Sequence, residues 1–174
     1  MQEMRKILLI GAGGSGKSVM ATRVAAQMGL PLIHLDALFW KPGWVETPRE
    51  EWRRIVEKLV QRNAWVMDGN YGGTLDLRLA ACDTVLFLDL PPLVCCWRVL
   101  KRRVQFHNKS RPDAGNDCPE RLNWEFLCWV WTYRKTRRPK ILEKLSTAAA
   151  QGKQVIILDD SKAVEDFMAQ LART

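Results

Sequence analysis

Residues Gly11 to Ser18 read GAGGSGKS and fit the pattern GxxxxGKS, with the apolar run RKILLIG before them and a helical pattern after. Glycines at such a turn let successive backbone N–H groups curl around phosphate oxygens, and the following helix adds the partial positive charge of its N-terminus. Gly11, Gly13, Gly14, Ser15 and Gly16 are therefore the cradle, Lys17 reaches the outer phosphates, and Ser18 supplies a hydroxyl for magnesium. An ordinary strand-to-helix turn has no use for a lysine and a serine at these offsets. The expected cofactors are ATP and Mg2+.

A phosphate cradle names the donor and leaves the acceptor open, because switch GTPases, motor ATPases and small-molecule kinases share it. No NKxD-type base-reading stretch is present, and 174 residues are short for a remodelling ATPase. That length suits one domain, 1–174, burying roughly 70% of the surface of its unfolded chain. The N-terminus runs from MQEMRK into the glycine loop without a cleavable signal pattern, and no apolar run approaches a membrane span, so the expected location is the cytoplasm and no membrane is involved. Cys82, Cys95, Cys96, Cys118 and Cys128 form no CxxC pair, which points to reduced thiols rather than disulfides or zinc.

Positioning the cradle requires a sheet. RKILLIG, LPLIHLD, AWVMDGN, TVLFLDL and KQVIILDD are short apolar runs separated by helical patterns, as expected of a parallel sheet covered on both faces. Lys17 to Met28 is predicted helical with Gly29 as its stop. A second helix is predicted to open at Thr47 with Pro48 first and Glu50 closing a capping box. Leu75 to Ala81, the stretch after Pro91 and Pro92, and SKAVEDFMAQLART are further helices, and Pro139 marks a break in the helical run after Glu120. His107 to Pro119 is polar and without periodicity, a surface excursion.

Charge is uneven. Of the net +8, residues 101–140 carry +7, from eleven Lys/Arg against four Asp/Glu. Such a segment is an anion-binding lid or a nucleic-acid patch. Phosphoryl transfer spreads negative charge over the equatorial oxygens, so Arg102, Arg103 and Arg111 are the candidates to compensate it from a closing segment. Arg134, Arg137 and Arg138 extend the patch toward phosphate or solvent. Asp113, Asp117, Glu120 and Glu125 interrupt it, which disfavours nucleic acid as the partner. His34 and His107 read as a core and a loop histidine. The tryptophans of NWEFLCWVW (Asn123 to Trp131) suit internal packing or a subunit contact equally.

The cradle, Asp68-Gly69, the LFLDLP strand, Arg102-Arg103 and RPD (Arg111 to Asp113) together resemble the nucleoside monophosphate kinase and shikimate kinase superfamily. Within it, LDALFWKPGW, DGNYGGTLDLR, CPERL and RPKILEKL resemble the adenylate-kinase-related DNA topology modulation proteins over nearly the whole chain. The resemblance implies an α/β P-loop NTPase three-layer sandwich, a five-stranded parallel sheet in the order 2-3-1-4-5, and a helical lid-like segment at about 101–140. It implies ATP-dependent phosphoryl transfer to a nucleotide-like or other hydroxylated small molecule. The alternative is an ATP-binding, nucleic-acid-associated protein that affects DNA topology.

By the same resemblance Asp36, expected at the carboxyl end of the second strand where ligands bind in open parallel sheets, orients the acceptor hydroxyl or takes its proton. Asp68 holds magnesium through water, and the base-reading surface lies near Asp159 to Ala163. Trp40 and Trp44 are an acceptor wall or core packing. Arg78 clamps an anionic group on the acceptor or is an exposed helix arginine, and Tyr71 is open in the same way between acceptor contact and an exposed position. The chain departs from adenylate kinases, which grip AMP with a threonine-arginine segment, and from shikimate kinases, whose DxD pair is reduced here to Asp36. Neither AMP nor shikimate is therefore the expected acceptor.

Overall fold

The computed structural model describes residues 4–106, 115, 117–119 and 123–172. In chain order they form β1 (Lys6–Gly11), α1 (Lys17–Met28), β2 (Leu32–His34), α2 (Leu35–Phe39), β3 (Trp40–Lys41), β4 (Val45–Glu46), α3 (Arg49–Val60) and β5 (Trp65–Asp68). A 3-10 turn (Gly72–Thr74), α4 (Leu75–Ala81), β6 (Thr84–Leu88), α5 (Pro92–Gln105), α6 (Trp124–Thr136), α7 (Arg138–Ala150), β7 (Gln154–Leu158) and α8 (Ser161–Leu171) follow.

Five strands make one parallel sheet in the order β2-β5-β1-β6-β7, which is 2-3-1-4-5 when only these strands are counted. The α/β P-loop architecture expected from the sequence is the one present. Alternate residues of each strand enter different cores because side chains in a strand point to opposite faces. Leu8, Ile10, Met67, Val85 and Phe87 pack with Val56 of α3, Leu79 of α4, Val99 of α5 and Val130 of α6. Ile7, Leu9, Val66, Leu86 and Leu88 pack with Val24 of α1 and Met168 of α8. The central strands are buried on both sides, hence their unbroken apolar runs.

The helix boundaries follow local chemistry in some places and long-range contacts in others. Gly29 ends α1 in the left-handed conformation, φ 64, with its N–H bonded to the Ala25 carbonyl. The capping box expected at Thr47 is absent: Pro48 is the N-cap of α3, and the Thr47 hydroxyl donates instead to the Phe39 carbonyl at 2.7 Å. The second strand is shorter than its apolar run. It ends at His34, and the chain turns at once into α2, so Asp36 stands in a helix rather than on a strand end. The helical run after Asn123 breaks at Arg137, with Pro139 in the first turn of α7, where its missing N–H costs nothing.

Most of the excursion His107 to Pro119 lies outside the described residues. Its remaining part rests on the β3–β4 hairpin: the Gly43 N–H donates to the Asp117 carbonyl at 3.1 Å and the Trp44 indole to the Pro119 carbonyl at 3.0 Å. Among the described residues no helix is long and apolar enough to cross a membrane.

Candidate active site

The loop between β1 and α1 is pressed under α5. A Cβ at Gly14 would lie 2.3 Å from the Cys95 carbonyl oxygen, and Gly14 and Gly16 adopt φ +76 and +96, conformations that side chains other than glycine rarely take. Ser15 is buried, and its Oγ has no hydrogen-bond partner among the described residues. Lys17 Nζ donates to the Ala12 carbonyl at 3.0 Å. Burial pulls its pKa below the ordinary lysine value; Asp68 and then Asp36 oppose that shift, while Arg102 adds to it. An unpartnered buried hydroxyl beside a desolvated ammonium fits a loop shaped for phosphate oxygens, which accept from both.

Ser18 Oγ donates to Asp68 Oδ2 at 2.8 Å, and His34 Nδ1 lies 2.6 Å from Asp68 Oδ1. An ionised Asp68 only accepts, so the His34 nitrogen is the donor. Among the described residues no group of three or more His, Cys, Asp or Glu could hold a metal unaided. A hydroxyl and one carboxylate suit magnesium, which takes one or two protein oxygens and completes its octahedron with phosphates and water.

From this end a cavity of about 990 Å3 runs to Asp36, Trp40, Trp44 and Tyr71. Asp36 Oδ1 accepts a 2.6 Å hydrogen bond from the Tyr71 hydroxyl. Burial, then the charge of Asp36, pushes the tyrosine pKa well above its usual value, so it stays a proton donor to the carboxylate. Trp40 and Trp44 meet edge to face with ring centroids 5.3 Å apart. Trp44 holds a left-handed backbone, φ 65, a strain of order 1 kcal/mol that persists only where the surroundings enforce it. Here they are the Trp40 ring and the bond to Pro119.

Two solved structures share this arrangement of elements. A shikimate kinase from Bacteroides thetaiotaomicron is 18% identical, with 98% of each chain covered and a TM-score of 0.55. The shikimate kinase from Acinetobacter baumannii in complex with shikimate is 17% identical, with 99% of this chain and 93% of that one covered and a TM-score of 0.61. The fold is that of the shikimate kinases. No family model and no curated protein matches the chain, so the narrower resemblance to the DNA topology modulation proteins rests on its motifs.

The arginines separate sharply on this shikimate kinase fold. Arg102 of α5 lines the cavity, as does Arg98, which the sequence reading passed over. Arg98 donates to the Ser15 carbonyl at 3.2 Å, a contact across 83 residues that no local spacing announces. Arg103, one residue on, is not among the cavity-lining residues. Arg111 lies outside the described residues. Arg78 is not an exposed helix arginine, and it is not among the residues that line the cavity. It is fully buried, and its guanidinium donates to the carbonyls of Gly69, Asn70 and Tyr71 at 2.7, 2.9 and 2.8 Å. Desolvation brings it down to about 10, still charged at neutral pH.

Arg134 and Arg138 are engaged with buried Asp89, at 3.3 and 2.6 Å, so part of the basic patch is structural. Asn70, also passed over, accepts from the Gly11 N–H at 3.2 Å and ties the cradle to the turn that carries Tyr71. Phe126 and Trp129 of α6 complete the cavity wall, stacked with centroids 5.7 Å apart.

Proposed function

We propose that this protein transfers the γ-phosphoryl group of ATP to a hydroxyl of a small molecule. The observation that carries this reading is the single cavity joining Lys17 and Ser18 to Asp36. Ser15, Lys17 and the loop amides hold the phosphates, and Ser18 and Asp68 hold magnesium, which neutralises charge on the outer phosphates when bound. The acceptor oxygen attacks the γ-phosphorus, its proton passes to Asp36, and the bond from the γ-phosphorus to the bridging oxygen breaks to leave ADP. Arg98 and Arg102 compensate the charge on the transferring group, and Asp117 and Pro119, bonded to the aromatic hairpin, belong to the lid-like segment. Because Arg78 is committed to backbone carbonyls, an acceptor bearing a carboxylate or phosphate gains nothing from it. That favours nucleosides and neutral hydroxylated metabolites over shikimate or AMP.

The test is magnesium-dependent ADP release across nucleosides, nucleoside monophosphates, shikimate and neutral hydroxylated metabolites. One class is expected to stimulate turnover, Lys17→Ala to abolish it, and Asp36→Asn to lower it by about 10²–10⁴-fold while ATP still binds. Undiminished turnover in Lys17→Ala would sink the proposal. Arg102 at the cavity, with Arg134 and Arg138 on Asp89, speaks against a DNA-binding role for the basic segment. Binding to duplex DNA that weakens steeply with salt would revive it.

A further inference from the structure

Leu93, Trp97, Leu100 and Val104 recur at helical spacing along α5, and all four are exposed, Trp97 by 67% and Val104 by 80%. Trp124 and Trp131 do the same on α6, at 72% and 54%. The two helices pack against each other. Burial, then the nearby Cys128 of α6, pushes up the thiol of Cys96 of α5. Cys128 lies between Trp124 and Trp131 on one helical face, and Cys96 lies between Leu93 and Leu100, so the two stripes adjoin.

We propose that this α5–α6 face is where two copies of the chain associate. An aromatic side chain carries up to about 250 Å2, so these six residues leave on the order of 800 Å2 in water. That is the contribution of one partner to a stable interface, and exceeds what monomers commonly leave in one apolar patch. The flanking charges favour a second copy over a lipid surface. Exposed Lys101 borders the α5 stripe and exposed Glu125 the α6 stripe, so a two-fold axis can set opposite charges together. An anionic membrane would want a purely basic border, yet Arg98 and Arg102 line the cavity instead.

Sedimentation of the full chain from about 1 to 100 µM, bracketing ordinary homodimer affinities, tests this. A dimer is expected. Trp97→Glu and Val104→Glu, both on the exposed face, are each expected to weaken it at least about 100-fold with the melting temperature and ATP affinity unchanged. A chain that stays monomeric over the whole range overturns the proposal, including one that instead floats with anionic phospholipid vesicles. So does a dimer that survives both substitutions.

Discussion

The two ends of the cavity are made in different ways. At the end we propose for phosphate, the wall comes from one run of eight consecutive residues, of which Gly13, Gly14, Gly16, Lys17 and Ser18 line the cavity. At the acceptor end Asp36, Trp40, Trp44 and Tyr71 are brought together with Pro119 by hydrogen bonds that span 35 and 75 residues. A site built from backbone depends on glycine and a tight fit. A site built from distant side chains depends on whatever holds its separate pieces still.

Arg78 is the strongest case of the second kind. Arg78→Met leaves the buried Gly69 carbonyl and the half-buried Asn70 and Tyr71 carbonyls without this donor and is expected to cost about 3–5 kcal/mol in urea unfolding. Arg78→Lys should recover little, since an ammonium cannot span the same carbonyls. A loss under about 1 kcal/mol would mean that the acceptor end does not need this pin.

For the phosphate end, Gly14→Ala places a methyl against the Cys95 carbonyl in a disfavoured φ. A loss of about 100-fold in ATP affinity is expected by titration with a fluorescent analogue, with a stability loss of about 1–3 kcal/mol, smaller than that of Arg78→Met. Equal damage to folding and to affinity would erase the distinction between the two ends.

Tyr71→Phe removes one hydrogen bond to a carboxylate and should cost about 1.5 kcal/mol. Its sign with pH is fixed. The folded-state pKa of Tyr71 is raised above the unfolded value near 10. Its stabilisation is therefore complete below pH 10 and fades as pH climbs beyond it. The wild-type minus Tyr71→Phe difference should fall above pH 10 and be flat below, which urea midpoints across that range will check.

The smallest effect is expected for Trp44→Phe, which loses only the indole bond to Pro119. About 1 kcal/mol should emerge as roughly a fivefold higher acceptor KM, with ATP affinity intact.

The same contrast explains what could be read from the residues. GAGGSGKS, the five strands and Gly29 were legible because each is a local pattern: a spacing, an apolar run, a residue that tolerates positive φ. The strand ending at Asp36 was misread because LIHLD is apolar enough for a strand, while the turn into α2 answers to packing. Thr47 was misread because its hydroxyl had two partners in prospect and the distant Phe39 carbonyl won over the local cap. Arg98, Asn70 and Arg78 had no local signal, since an arginine in a helix looks alike whether it meets solvent, a P-loop carbonyl or a buried turn.

The way Arg78 is used has a consequence for motion. The carbonyls of Gly69, Asn70 and Tyr71 are held by a side chain from α4, and Asn70 in turn holds the Gly11 amide at the end of β1. The floor of the acceptor end therefore cannot open as a loop; it opens only when α4 detaches from the core. The amides of Gly69 and Thr74, bonded to the Leu9 and Tyr71 carbonyls, should exchange hydrogen with the slow, cooperative unit of the central strands, while the hairpin facing them exchanges through fast local fluctuations. Substrate entry would then be governed entirely by the roof.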